Sequence, residues 1–114
     1  MSLRPMSQQE VGRYQFVPQA TLKRPPSFFA SQGISFRTSH DDLDEFEVAE
    51  LSLDDKLPFA LLRYRGTPAD ETIVFLPDTF PLTEVPTLIK TIILALKLST
   101  TSIKWQRETA QTSH

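Results

Sequence analysis

The clearest periodic pattern of the chain lies in its C-terminal third. Between residues 83 and 98, apolar residues recur at steps of three and four, which is typical of one face of an α-helix. Thr83 is a suitable N-cap residue, and Pro86 is tolerated in a first helical turn. The pattern therefore predicts a long amphipathic helix at 83–98, with an apolar stripe made of Val85, Leu88, Ile89, Ile92, Ile93 and Leu96.

Several shorter segments have the composition of β-strands. Residues 58–65 and 72–76 are rich in β-branched, aromatic and other apolar residues on both of their faces, which predicts strands covered on both sides. Residues 34–38 and 102–106 alternate between apolar and polar positions, as half-buried strands do. The residues Asp54-Asp55-Lys56-Leu57 are a plausible hairpin connection before the strand at 58–65.

The acidic stretch at 41–53 is compatible with two structures. Leu43, Phe46, Ala49 and Leu53 are spaced for a helix face, whereas the alternation around Phe46 favours a strand. The phase of that alternation changes near Ala49, which a β-bulge would explain. We expect a strand, because a hairpin connection follows it.

The first 33 residues have the least regular pattern. Four prolines interrupt any long element, although Ser7 and Glu10 have the spacing of a capping box for a short helix. This segment is nevertheless too apolar for a free tail, so we expect it to dock on the core or on a partner through the aromatic residues Tyr14, Phe16, Phe28 and Phe29.

Together these elements predict an α+β fold, a two-layer sandwich. A mixed sheet of four or five strands, formed by an antiparallel meander and a C-terminal βαβ unit, would pack on the one long amphipathic helix. The expected division is an N-terminal segment (1–33), an α+β domain (34–107) and a polar C-terminal tail (108–114).

Charge and composition narrow the range of functions. The chain has 114 residues and a net charge of -2, with eight acidic residues concentrated between positions 41 and 55. This balance argues against a general polyanion binder. The longest apolar run, residues 92–96, is far shorter than the roughly 20 residues that a membrane-spanning helix needs. We therefore expect a small soluble protein without a membrane partner, and a cytoplasmic location.

Residues suited to catalysis or metal binding are scarce. The chain lacks cysteine, and its two histidines are His40, in a polar stretch, and His114, at the C-terminus. The three glycines are isolated, so no phosphate-binding loop is present. The carboxylates at 41–45 do not match the spacing of a calcium loop. We expect no cofactor and no metal site, and we lean towards the absence of enzymatic activity.

Two functions remain open. The first is a non-catalytic protein-interaction or assembly module whose partner is a second copy of the chain or another protein. Its candidate contact residues are Tyr14, Phe16, Phe28, Phe29, Leu94 and Leu98. The alternative is a single-stranded nucleic-acid-binding accessory protein, because cationic and aromatic residues interleave along the chain. Its candidate residues are Arg13, Lys23, Arg24, Arg37, Lys104, Trp105 and Arg107.

Overall fold

The computed structural model describes residues 2–40 and 44–106. The predicted polar tail at 108–114, Arg107, His114 and residues 41–43 of the acidic stretch lie outside the described residues. In chain order the elements are β1 (Leu3–Pro5), α1 (Gln8–Val11), β2 (Phe16–Leu22), α2 (Pro26–Ala30), β3 (Arg37–His40), β4 (Glu45–Leu53), β5 (Leu57–Tyr64), β6 (Thr72–Pro77), α3 (Val85–Ala95), a 3-10 turn (Thr100–Ser102) and β7 (Ile103–Gln106).

All seven strands of the described residues belong to one sheet. Its order is β1-β4-β5-β6-β2-β7, and β3 pairs with β4 beside β1. Every strand pairing among the described residues is antiparallel. β6 and β7 consequently run parallel to each other, with β2 between them.

The predicted architecture of a four- or five-stranded mixed sheet on one long helix is wrong. The sheet has seven strands, its neighbouring strands are antiparallel, and the helices have four, five and eleven residues. Two of the strands, β1 and β2, come from the N-terminal segment that we expected to be irregular. In β2 the register shifts between Pro18 and Ala20, which breaks the two-residue alternation by which a strand is recognised. Because β2 separates β6 from β7, the predicted βαβ strands are not neighbours.

The strands predicted at 58–65 and 72–76 are confirmed as β5 and β6. β4 is also a strand, and its pairing with β5 runs from Phe46 to Leu53 without a register shift. The phase change near Ala49 therefore does not mark a β-bulge. It arises because β4 carries apolar residues on both of its faces.

Two local turns follow the sequence closely. Ser7 and Glu10 form the predicted capping box at the start of α1. The β4–β5 hairpin turns through Asp54 and Asp55, which have φ angles of 54° and 58°. Two successive residues with positive φ are what a tight type I′ connection requires.

Helix α3 is shorter than the predicted helix at 83–98. It begins at Val85 after Glu84, which occupies the N-cap position in place of Thr83, and it ends at Ala95. α3 shares the main core with α2, whose Phe29 is fully buried there.

The end of α3 is a Schellman motif. Lys97 has a left-handed conformation with φ of 62°, and its N–H donates to the Leu94 carbonyl at 3.0 Å. The Leu98 N–H donates to the Ile93 carbonyl at 2.9 Å, and both of these side chains belong to the main core. The chain thus leaves the helix in the conformation that buries Leu98.

The main core lies between one side of the sheet and two helices. Side chains of β2, β4, β5 and β6 meet Phe29 of α2 and the apolar stripe of α3. We call this side of the sheet the helix face. In the described part of the chain, no helix is long and apolar enough to span a membrane.

Candidate interaction face

The opposite side of the sheet, which we call the open face, carries a second apolar cluster. None of the three helices contributes a described residue to this cluster. The open face is therefore shielded from water by its own side chains rather than by a covering helix. Its buried members are Val48, Ala60, Leu62 and Phe75, and the half-buried residues Phe16, Phe46, Tyr64 and Ile73 pack against them.

One row of side chains on the open face crosses five strands. Residues that are directly opposite in antiparallel strands lie on the same face. The register joins Val48 to Leu62, Leu62 to Ile73, Ile73 to Thr21, and Thr21 to Trp105. Trp105, on the edge strand β7, is 47% exposed. The row thus places Trp105 on the open face at the edge of the sheet, beyond Thr21.

Aromatic pairs lie at two places beside this row. The rings of Phe46 and Tyr64 pack with their centroids 5.7 Å apart and their planes at 64°. Tyr14, which is 38% exposed, packs on the ring of Phe16 at 5.8 Å. Such contacts stabilise by about 0.5–1.5 kcal/mol beyond the area they bury. The large rings are therefore ordered, although they stay partly exposed.

Charges on the open face are paired within the chain. Arg37 and Glu50 lie opposite Val48 and Ala60 in the register, so both belong to this face. The Arg37 guanidinium donates to Glu50 Oε1 from Nη2 at 2.8 Å and from Nε at 3.2 Å. The charges of Arg37 and Glu50 therefore compensate each other beside the apolar centre of the open face.

The cations predicted for nucleic-acid binding do not form one free positive surface. Besides Arg37, which is paired, Lys104 donates to Glu71, and this hydrogen bond raises the pKa of Lys104. Arg24 lies over the Phe28 ring, 5.6 Å from its centroid. Arg13 and Lys23 are exposed, and Arg107 lies outside the described residues.

The structure divides the six predicted interaction residues between several environments. Phe29 and Leu98 are buried in the helix-face core, and Phe28 packs against that core. Leu94 is 64% exposed on α3. Only Tyr14 and Phe16 lie at the open face. The docking expected of the N-terminal segment is therefore made on the chain's own sheet and core.

The half-buried residues of the open face were missed by sequence reasoning. Phe46, Tyr64 and Ile73 were each placed in a strand but were not proposed as contact residues. The available signal was the apolar character of both faces of β5 and β6. That signal predicted a cover on both faces of these strands, supplied by the N-terminal segment or by a partner.

Ion pairs hold the N-terminal strand β1 in place. Arg4 bonds to Asp55 of the β4–β5 turn and to Glu10 of α1, with 2.7 Å between Arg4 Nη2 and Glu10 Oε2. The hydrogen bond from Arg4, followed by that from the Ser7 N–H, lowers the pKa of Glu10 to about 2. These contacts have a structural role, because they join β1, α1 and the hairpin turn.

Groups for metal or acid–base chemistry do not converge in the described residues. Within 2–40 and 44–106, no group of three or more His, Cys, Asp or Glu side chains is placed to hold a metal ion. His40 is exposed at the end of β3. Comparisons with protein-family models, with curated proteins and with solved structures give no match, so the geometry of the open face is the basis on which a function can be argued.

Proposed function

We propose that the protein is a non-catalytic interaction module that forms a homodimer through its open face. The observation that carries the proposal is the second apolar cluster, over which no described helix packs. Partly exposed aromatic side chains on an apolar surface are typical of protein–protein contacts. A partner that covered Phe46, Tyr64 and Ile73 would remove their remaining apolar area from water.

The size of the open face fits a second copy of the chain. The five strands from β4 to β7 span about 24 Å at roughly 4.8 Å per strand. The eight residues of β5 extend over about 27 Å. The projected area is roughly 650 Å², which approaches the about 800 Å² per partner of a stable interface. A twofold contact between two such faces would thus have a size at the lower end of stable interfaces.

Charge favours an apolar partner over a nucleic acid. A polyanion binds by neutralising its phosphates with available cations. Three of the candidate cations already contact groups of this chain, namely Arg24, Arg37 and Lys104. Two neutral, apolar faces can instead approach each other without repulsion between like charges. Single-stranded nucleic-acid binding accordingly becomes an outcome to be tested.

Sedimentation velocity with a matched pair of variants tests the proposal. Tyr64→Lys places a charge on the open face, and Leu94→Lys places the same charge on the exposed side of α3. We expect wild type and Leu94→Lys to be dimers at micromolar concentration and Tyr64→Lys to be a folded monomer, with folding checked by circular dichroism. A monomeric wild type, or a dimer that only Leu94→Lys disrupts, would refute the proposal.

Fluorescence anisotropy with a labelled single-stranded oligonucleotide separates the alternative. We expect no salt-sensitive binding at micromolar protein concentration. Binding that weakens steeply with added salt and is lost in Trp105→Ala would favour the nucleic-acid function instead. The cytoplasmic location and the absence of enzymatic activity stay predictions.

A further inference from the structure

The outer edge of β4 is covered by two separate strands. β3 pairs with β4 from Glu45 to Val48, and β1 pairs with it from Leu51 to Leu53. Between them the edge is open, because Ser7 caps α1 and turns the chain away from the sheet after Met6. A gap about two residues long therefore interrupts the edge of the sheet.

One backbone donor in this gap has no acceptor among the described residues. Alternate residues of an antiparallel strand direct their N–H and C=O groups to opposite neighbours. The Glu45 carbonyl accepts the Arg65 N–H on the β5 side, so Glu50 directs its groups to the open edge. The Glu50 carbonyl accepts the Met6 N–H at 2.9 Å. The Glu50 N–H donates to no acceptor that the described residues supply.

A cleft of about 310 Å³ lies at this gap. This volume is at the lower end of the range of small-molecule sites, roughly 300–1,000 Å³. Apolar side chains from the loop after α2 and from the N-terminal strand line part of it, including Leu3, Met6, Ile34 and Phe36. The polar side chains of Gln8 and Ser35 stand at its margin and are exposed.

The Arg37 guanidinium is the group at the cleft that can accept an anion as a partner. Arg4, Arg37 and Glu50 are the charged residues that line the cleft, and Arg4 is already bonded to Glu10 and Asp55. Arg37 is bonded to Glu50 at the edge of the gap, and its side chain is still 46% exposed. A carboxylate seated here would accept the unpaired Glu50 N–H and a guanidinium N–H together, and such charge-assisted bonds are the stronger kind.

We propose that this cleft binds a small monocarboxylate with a short apolar chain. The carboxylate accepts the Glu50 N–H and faces Arg37, while the chain lies against Met6 and Ile34. The ligand thus supplies the acceptor that neither β1 nor β3 offers to this N–H group. This inference does not depend on the dimer proposed above.

Titration of the full, ¹⁵N-labelled chain with three probes of equal chain length tests the inference. We expect hexanoate to bind and to move the Glu50 amide resonance downfield. Hexanamide should bind more weakly, because it lacks the charge, and hexylamine should not bind. Hexylamine that binds as tightly as hexanoate, or hexanoate that leaves the Glu50 amide unchanged, overturns the inference.

Matched variants locate the site. Gln8→Trp fills the cleft, whereas Gln9→Trp places the same side chain on the neighbouring exposed residue, which does not line it. We expect only Gln8→Trp to abolish hexanoate binding. Arg37→Gln should weaken hexanoate about tenfold and leave hexanamide unchanged. Equal losses in both tryptophan variants, or equal losses for both probes in Arg37→Gln, contradict the proposed site.

Discussion

Replacement of Lys97 by glycine is expected to stabilise the protein. Lys97 has φ of 62°, and its neighbours hold it there through the two hydrogen bonds of the Schellman motif. A residue with a Cβ loses roughly 1–2 kcal/mol in the left-handed conformation, which glycine avoids. The greater conformational freedom of glycine in the unfolded chain reduces this gain in stability by about 0.5–1 kcal/mol. The net gain for Lys97→Gly is therefore about 0.5 kcal/mol.

Lys97→Ala is the matched control, because it removes the same charge and stem but keeps the Cβ. Loss of the cation near the helix C-terminus destabilises by about 0.3 kcal/mol in both variants. The free energy of unfolding of Lys97→Gly should therefore exceed that of Lys97→Ala by about 1 kcal/mol. For a chain of this length, this difference raises the thermal unfolding midpoint by about 4 °C. Urea and thermal unfolding followed by circular dichroism measure the difference. A glycine variant less stable than the alanine variant would refute the reasoning.

Two further predictions concern the core and the N-terminal ion pairs. Phe59 is fully buried on the helix face, so Phe59→Ala should cost about 3–5 kcal/mol in urea unfolding, whereas Leu94→Ala on exposed α3 should change stability by less than about 0.5 kcal/mol. Arg4 lowers the pKa of Glu10 to about 2. The pair therefore stabilises the protein fully at pH values above the ordinary carboxyl pKa, and this stabilisation is lost as the pH falls towards 2. The difference in unfolding midpoint between wild type and Glu10→Gln should therefore shrink between pH 5 and pH 2, and a constant difference would contradict the assignment.

The sequence was sufficient where a structure depends on neighbours in the chain. The capping box of Ser7 and Glu10, the hairpin at Asp54-Asp55 and the apolar stripe of α3 all involve residues no more than four positions apart, or a simple repetition of such spacings. Their geometry is set by backbone sterics and local hydrogen bonds. These elements were therefore predicted close to where the structure has them.

The order of the strands was decided by contacts that are distant in sequence. β2 inserts between β6 and β7 although it ends at Leu22 and β6 begins only at Thr72. The alternation of apolar and polar residues in β2 is broken at Pro18, so no local pattern predicts this strand. Only the pairing of its backbone with β6, and the burial of Ala20 and Leu22 against α3, show that it is a central strand.

The candidate sites depend on the same distant contacts. Apolar residues on both faces of β5 and β6 already indicated that each face needs cover, since apolar area excluded from water is the main driving force for folding. The sequence could not determine which residues would supply that cover. The tertiary structure assigns α2 and α3 to one face and leaves Phe46, Tyr64 and Ile73 to shield the other. The Glu50 N–H likewise lacks an acceptor among the described residues because β1 and β3, which are distant in sequence, meet the same edge of β4 and stop short of each other.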